Sequence, residues 1–227
     1  MRYCIQAPEP TGAVTELIDC PEFRQRLLRF DSAGDEQRDD ERDEVLYVLA
    51  GTASAAVGSE TVELVPGSAL YVARGTAWRI ESAEGLLLLS VLVEEPLPAE
   101  TSHAVIASGE RGTATAGREF DLLARPESGC VSVTQFVGHI PVGRAPDHFH
   151  LYDEVVYVLA GDGALHVDGE SASLRAGSCV HLPARLVHCL ENVGPGEMRV
   201  LGVFRPAGSP AEAYYPDGTA AAVPVAC

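Results

Sequence analysis

Asp43-Glu-Val-Leu-Tyr-Val-Leu-Ala-Gly51 returns, with one substitution, as Asp153-Glu-Val-Val-Tyr-Val-Leu-Ala-Gly161. The offset is 154 − 44 = 110 residues, and Gly67-Ser68 repeats at Gly177-Ser178 with the same offset and no gap. A run kept in register through an apolar stretch and the turn beyond it means one structural unit used twice. A fold built twice from 227 residues must be small, and each copy has to close its own core. The expected division is a first domain over residues 1–100 and a second, with a tail, over 101–227, because strand patterns give way near Pro96 to polar and glycine-rich sequence.

The repeated unit reads as β-structure. Val45–Leu49, Ala69–Val72, Leu86–Val93, Val131–Val137 and Val155–Leu159 are short, rich in β-branched and aromatic residues, and bounded by turn formers. Glycine (22) and proline (15) supply the turns. Glu16 to Phe30 reads differently: Pro21 stands where a helix would start, and Phe23, Leu27 and Leu28 would share one of its faces. The alternative there is an arm packed along the first domain.

The second copy carries the chemistry. In Gly143-Arg-Ala-Pro-Asp-His148-Phe-His150-Leu-Tyr-Asp-Glu154, two histidines stand one residue apart and a glutamate follows. Alternate side chains of an extended chain share a face, so His148 and His150 aim the same way. A third imidazole arrives at His188, in Gly177-Ser-Cys-Val-His-Leu-Pro183-Ala-Arg-Leu-Val-His188-Cys-Leu-Glu-Asn192. Three imidazoles and a carboxylate suit a first-row divalent metal.

These two stretches resemble the motifs of the cupin superfamily. Gly143, His148, His150, Glu154 and Gly161 occupy the places of the first motif, with one residue fewer than usual between Gly143 and His148. Gly177, Pro183, His188 and Asn192 occupy those of the second, with Arg185 where the family usually has glycine. The resemblance implies a bicupin, two jelly-roll barrels in one chain, with a quercetinase-like site in the second. The implied ligands are His148, His150, Glu154 and His188, and the implied cofactor is one divalent metal per chain, Fe(II) first, with Mn, Ni, Co, Cu or Zn as alternatives. At the 110-residue offset the first copy has Arg38, Asp40, Glu44 and Trp78 in those four places. Three of four ligands are gone, so the first barrel is expected to lack the metal, with Trp78 filling its interior.

Strand parity and residue chemistry nominate further residues for substrate. Gln135 and His139 are expected near the cavity mouth, His181 as a pocket residue able to shuttle protons, and Arg185 as a bidentate partner for a carboxylate or phenolate. Tyr214 and Tyr215 are read either as a lid or as packing for the tail. Val156 and Leu190 make the expected wall apolar, which suits a hydrophobic or aromatic substrate. The cysteines (Cys4, Cys20, Cys130, Cys179, Cys189, Cys227) form no Cys-x-x-Cys pair and read as buried thiols.

A net charge of −17 disfavours nucleic acid and anionic membrane surfaces as partners. No apolar run is long enough for a membrane-spanning helix, and the first residues lack the pattern of a secretory signal, so a cytoplasmic monomer or homodimer is expected. The primary functional expectation is an oxygenase acting on a small enol or phenol, with Glu154 as both ligand and base. The second is a non-redox isomerase, cyclase or hydrolase that uses the metal as a Lewis acid. The third is a small-molecule sensor without turnover.

Overall fold

The computed structural model describes residues 2–10 and 12–221. β1 (Cys4–Gln6) is followed by β2 (Val14–Asp19), β3 (Phe23–Phe30), β4 (Asp43–Val57), β5 (Glu60–Leu64), β6 (Ala69–Val72), β7 (Trp78–Val93) and β8 (His103–Ile106). Then come β9 (Glu110–Thr113), β10 (Glu119–Leu122), β11 (Thr134–Ile140), β12 (Gly143–Arg144) and β13 (Asp153–Ala160). The last strands are β14 (Asp162–Val167), β15 (Glu170–Arg175), β16 (Ser178–Leu182), β17 (His188–Asn192) and β18 (Met198–Arg205). Helical structure among the described residues is confined to two 3₁₀ turns, Thr115–Gly117 and Pro126–Ser128. The protein is all-β, and no helix among the described residues is long and apolar enough to cross a membrane.

Glu16 to Phe30 is therefore two strands and not a helix. β3 pairs with β7 along its whole length, from Phe23 with Val93 to Phe30 with Leu86. Phe23, Gln25 and Leu27 are buried while Arg24 is exposed and Arg26 lies between, which is the period of two and not 3.6. Pro21 sits in the turn closed by backbone bonds between Cys20 and Phe23.

The chain forms two compact units interleaved in sequence. One, here the N-terminal unit, takes residues 8–108 and 123–133; the other, the C-terminal unit, takes 2–7, 109–122 and from 134 onward. Two segments thus lie across a division at 100/101. Cys4–Gln6 belongs to the C-terminal unit because it hydrogen-bonds as a strand to Ser178–Val180. Residues 123–133 belong to the N-terminal unit, where Ser132 Oγ accepts the Leu97 amide at 2.8 Å.

In the N-terminal unit the sheet order is β2-β3-β7-β4-β6-β8, with β5 on β4. In the C-terminal unit one sheet runs β1-β16-β13-β18-β11-β10-β9 and the other β12-β17-β14-β15. Its core includes Val156, Val158, Leu165, Leu174, Val180, Leu182, Met198 and Val200. Burying each such side chain contributes about 1.5–3 kcal/mol before entropy is counted.

The 110-residue offset holds at the start of three strand pairs. β4 and β13 open at Asp43 and Asp153, β5 and β15 at Glu60 and Glu170, β7 and β17 at Trp78 and His188. Even the bulges agree, between Val48 and Ala50 in one unit and between Val158 and Ala160 in the other. Gly51 and Gly161 follow these bulges with φ of +74° and +89°. A Cβ on Gly51 would lie 2.3 Å from the Gly85 carbonyl oxygen, and one on Gly161 2.8 Å from Met198 Cα, so both positions need glycine twice over.

Candidate metal centre

His148 and His188 face each other across a backbone bridge. The His148 amide donates to the His188 carbonyl at 3.0 Å and the His188 amide donates back at 2.8 Å. Directly opposed residues share a face, and these two ring centres are 4.8 Å apart. His150 comes from the same extended segment as His148, and its ring lies 5.0 Å from His148 and 5.3 Å from His188. One donor atom from each of the three rings falls within 4.8 Å of the others.

The outer hydrogen bonds fix how each ring presents itself. His148 Nδ1 meets the Pro146 carbonyl at 2.9 Å, His150 Nδ1 the Glu212 carbonyl at 2.6 Å, and His188 Nδ1 the Leu186 carbonyl at 2.8 Å. A carbonyl only accepts, so each Nδ1 carries the proton and each Nε2 keeps its lone pair for the cluster. Tyr152 stacks on His150 at 4.6 Å and 8° and is backed in turn by Phe204 at 3.9 Å. Burial, reinforced by the neighbouring imidazoles, holds His188 well below the usual histidine range and brings His150 down to about 3. Three neutral, oriented imidazoles are the donor set a first-row divalent metal requires.

Glu154 lines the same cavity but is not part of that donor cluster. Its carboxyl is buried, and burial alone pushes it up to about 8. Gly202 makes room for it: a Cβ there would lie 2.7 Å from Glu154 Oε1 and 2.3 Å from the Phe136 ring. The cavity measures about 680 Å³ with its open mouth included. Ile140, Val156, Leu182, Leu190 and Val200 make an apolar wall.

Two contributors had no signal in the sequence. Arg118, from the irregular stretch before β10, lines the cavity and donates through Nη2 to the Leu190 carbonyl. Isolated between short strands, it matches no motif. The tail contributes Pro210, Ala211 and Ala213 to the wall and the Glu212 carbonyl to His150. Tyr214 anchors this tail, bridging to Phe149 through both backbone groups and stacking on its ring at 5.6 Å. Tyr214 is thus a packing residue, and the wall is built by the backbone around it.

Residues 136–204 match the family model described as a cupin domain. The matched stretch lies in the C-terminal unit and includes His148, His150, Glu154 and His188. Among curated proteins, the chain is similar to polyketide synthase CurC of Streptomyces cyaneus, 37% identical over 62 residues, which make up 27% of this chain and 40% of that protein. The match thus spans less than two thirds of that relative. Among solved structures, an IolB-like protein from Salmonella typhimurium LT2 superposes with a TM-score of 0.76 at 14% identity, covering 96% of this chain and 97% of that one. A variant of Bacillus subtilis oxalate decarboxylase superposes with a TM-score of 0.71 at 14% identity, covering 89% and 77%. At such identities the likeness is one of fold.

Register and exposure within the C-terminal unit correct three substrate expectations. Glu154 pairs with Leu182 and Val155 with His181, so His181 lies on the face away from Glu154. There its Nε2 meets Asp153 Oδ1 at 2.8 Å, outside the cavity. Val156 pairs with Gly202 and Gly202 with Phe136, which puts Phe136 on the cavity side and Gln135 on the other. Gln135 is fully buried but does not line the cavity. Arg185 is exposed and likewise outside it. Its φ of +65° is the left-handed conformation that explains the usual glycine, and its contribution is its amide, 2.7 Å from the His150 carbonyl. His139 does reach the cavity, but its two nitrogens are taken by Asp121 at 2.8 Å and Glu197 at 3.0 Å.

The equivalent place in the N-terminal unit is built otherwise. Trp78 is 2% exposed and packs with Ile80, Leu86 and Leu88, as expected for a residue filling a vacated interior. Its indole N–H donates to Glu44 at 3.2 Å. Arg26 donates to the same carboxylate at 3.0 Å, and Ser90 Oγ also donates to it. Arg38 and Asp40 pair with each other at 2.7 Å on the surface.

The lowered histidines set a pH dependence for metal-free protein. Below the ordinary histidine value of 6.5 the unfolded chain takes up protons that the folded site refuses, so unfolding gains free energy as pH falls. Stability of chelator-treated protein should be full above that value and decline toward about 3, where His150 itself protonates. The slope is at most about 1.4 kcal/mol per pH unit for each histidine. Urea midpoints measured across this range should fall on the acid side, and less steeply in His150→Asn. An unchanged slope in that variant would count against the assignment.

Proposed function

We propose that the chain is a metal-dependent enzyme that oxygenates a small enol or phenol in the C-terminal cupin domain. The observation that carries this reading is the cluster of three neutral imidazoles, each tied back by Nδ1, converging at the floor of an apolar cavity. His148, His150 and His188 would hold the metal. A redox-active ion held there, such as Fe(II), would supply one-electron and O₂ chemistry, and a non-redox divalent ion would supply Lewis acidity. The chain's own residues do the rest. Ile140, Val156, Leu182 and Val200 exclude water from the substrate body, and the tail around Ala211 covers it. Glu154, without a charged partner in its burial, is suited to accept or return a proton at its carboxylate. The similarity to a protein named polyketide synthase CurC agrees with an enol or phenol substrate.

Zinc-substituted and iron-loaded protein should be compared on a panel of enols and phenols, with and without O₂. Turnover is expected with iron and O₂ only. Full turnover with zinc, or in the absence of O₂, would transfer the assignment to a non-redox isomerase or cyclase, for which the raised Glu154 carboxyl is the natural acid. Glu154→Gln should keep the metal on the three histidines and lose about 100-fold or more in turnover. Unchanged turnover would remove Glu154 from the chemistry.

A further inference from the structure

Among the described residues, Arg118 is the one guanidinium that lines the cavity, and it has no carboxylate partner. Glu119 is held by Arg111 at 2.7 Å, and both nitrogens of His139 are taken. The guanidinium of Arg118 has five N–H donors, and one is spent on the Leu190 carbonyl, which anchors its plane beside the strand of His188. Its other neighbour is the Cys189 thiol. Among the described residues no carboxylate lies within ion-pair distance of it. It is close enough to the cluster for its charge to act on His148, His150 and His188 alike. Such a cation, largely withdrawn from water and unneutralised, is costly unless an anion arrives.

We propose that Arg118 selects the substrate, by holding a carboxylate on a small and otherwise apolar molecule that reaches the three histidines. The carboxylate stands on Arg118 itself; the enol or phenol body rests on the function proposed above. The planar fork of a guanidinium matches a carboxylate in two parallel hydrogen bonds. Burial lowers the pKa of Arg118, so its charge is held at a cost that a carboxylate partner would offset. Glu119 lies opposite His139 and Ala13 opposite Arg29, so Gly12 stands at the place of Arg118 in the N-terminal unit, and the device belongs to the C-terminal unit alone.

Calorimetric titration with two pairs of probes tests this: benzoate against benzamide, and salicylate against salicylamide. Chelator-treated protein is used first, so that no metal can supply a preference for the acid. Each acid should bind about 10- to 100-fold tighter than its amide, as expected for hydrogen bonds to a charged group. Arg118→Gln should abolish that preference while keeping the wild-type metal content, and Arg118→Lys should keep part of it. Equal affinity of acid and amide for the wild type, no binding of any probe, or a preference surviving in Arg118→Gln would overturn the proposal. Should Arg118→Gln lose its β-sheet circular dichroism, Arg118→Lys and the wild-type comparison decide alone. An acid preference without any gain from the phenol hydroxyl on metal-loaded protein would sink the phenol reading and leave Arg118 standing. A hydroxyl gain without an acid preference would do the reverse.

Discussion

His150→Ala is expected to abolish metal binding, while Asp40→Ala, at the equivalent place in the first copy, leaves it intact. After equilibration with Fe(II) or Zn(II) and dialysis, elemental analysis should find one metal per wild-type chain and none in His150→Ala. The loss should exceed the roughly 10- to 100-fold that removal of an outer-shell partner costs. His150 supplies one of three donors within 4.8 Å. Its removal also leaves the Glu212 carbonyl without the imidazole N–H that satisfies it and takes away the ring stacked on Tyr152. Asp40 is bound to Arg38 at the surface and offers nothing comparable. Two tightly held metals per chain, or full retention in His150→Ala, would contradict the assignment of the site.

Trp78→Ala should destabilise the N-terminal unit by about 3–5 kcal/mol, the range for emptying an aromatic site in a packed core. The indole is almost fully enclosed and T-stacks on Phe30 at 6.3 Å. It also supplies one of the donors to Glu44, a carboxylate only 5% exposed. Trp78 is the chain's single tryptophan, so denaturant unfolding has to be followed by circular dichroism and not by intrinsic fluorescence. A loss below about 1 kcal/mol would show that the interior collapses onto the gap, and that Trp78 does not hold the unit's core open.

The convergence of His148, His150 and His188 and the all-β fold were legible because they rest on local rules. The His148-x-His150 pair needs only strand periodicity, and the duplicated Asp-Glu-Val motif fixed the placement of β4 and β13 in advance. The cavity walls were legible only where a strand carried its own reference. β13 has Glu154, so Val156 was placed on the inner face correctly. β11 and β16 carry no such marker, and their inner faces follow from cross-strand register, which is a tertiary fact. A shift of one residue exchanges the two faces of a strand, which is how Gln135 and His181 came to be expected inside. Glu16 to Phe30 misled for a related reason, because Phe23 and Leu27 satisfy both periods and only pairing with β7 decides between them. Arg118 and the Glu212 carbonyl lie in irregular chain, where no period exists to read.

The attachment of Cys4–Gln6 to β16 has a bearing on biogenesis. Gln6 and Ala176 are joined by a side-chain hydrogen bond across 170 residues, so β1 waits for a partner synthesised that much later. Until then β16 has an open edge, and open edges recruit strands from neighbouring molecules. Fragments that start after Gln6 keep that edge permanently. In a crowded nascent pool, the open edge of β16 is where the three-residue strand of another molecule could pair in place of the chain's own.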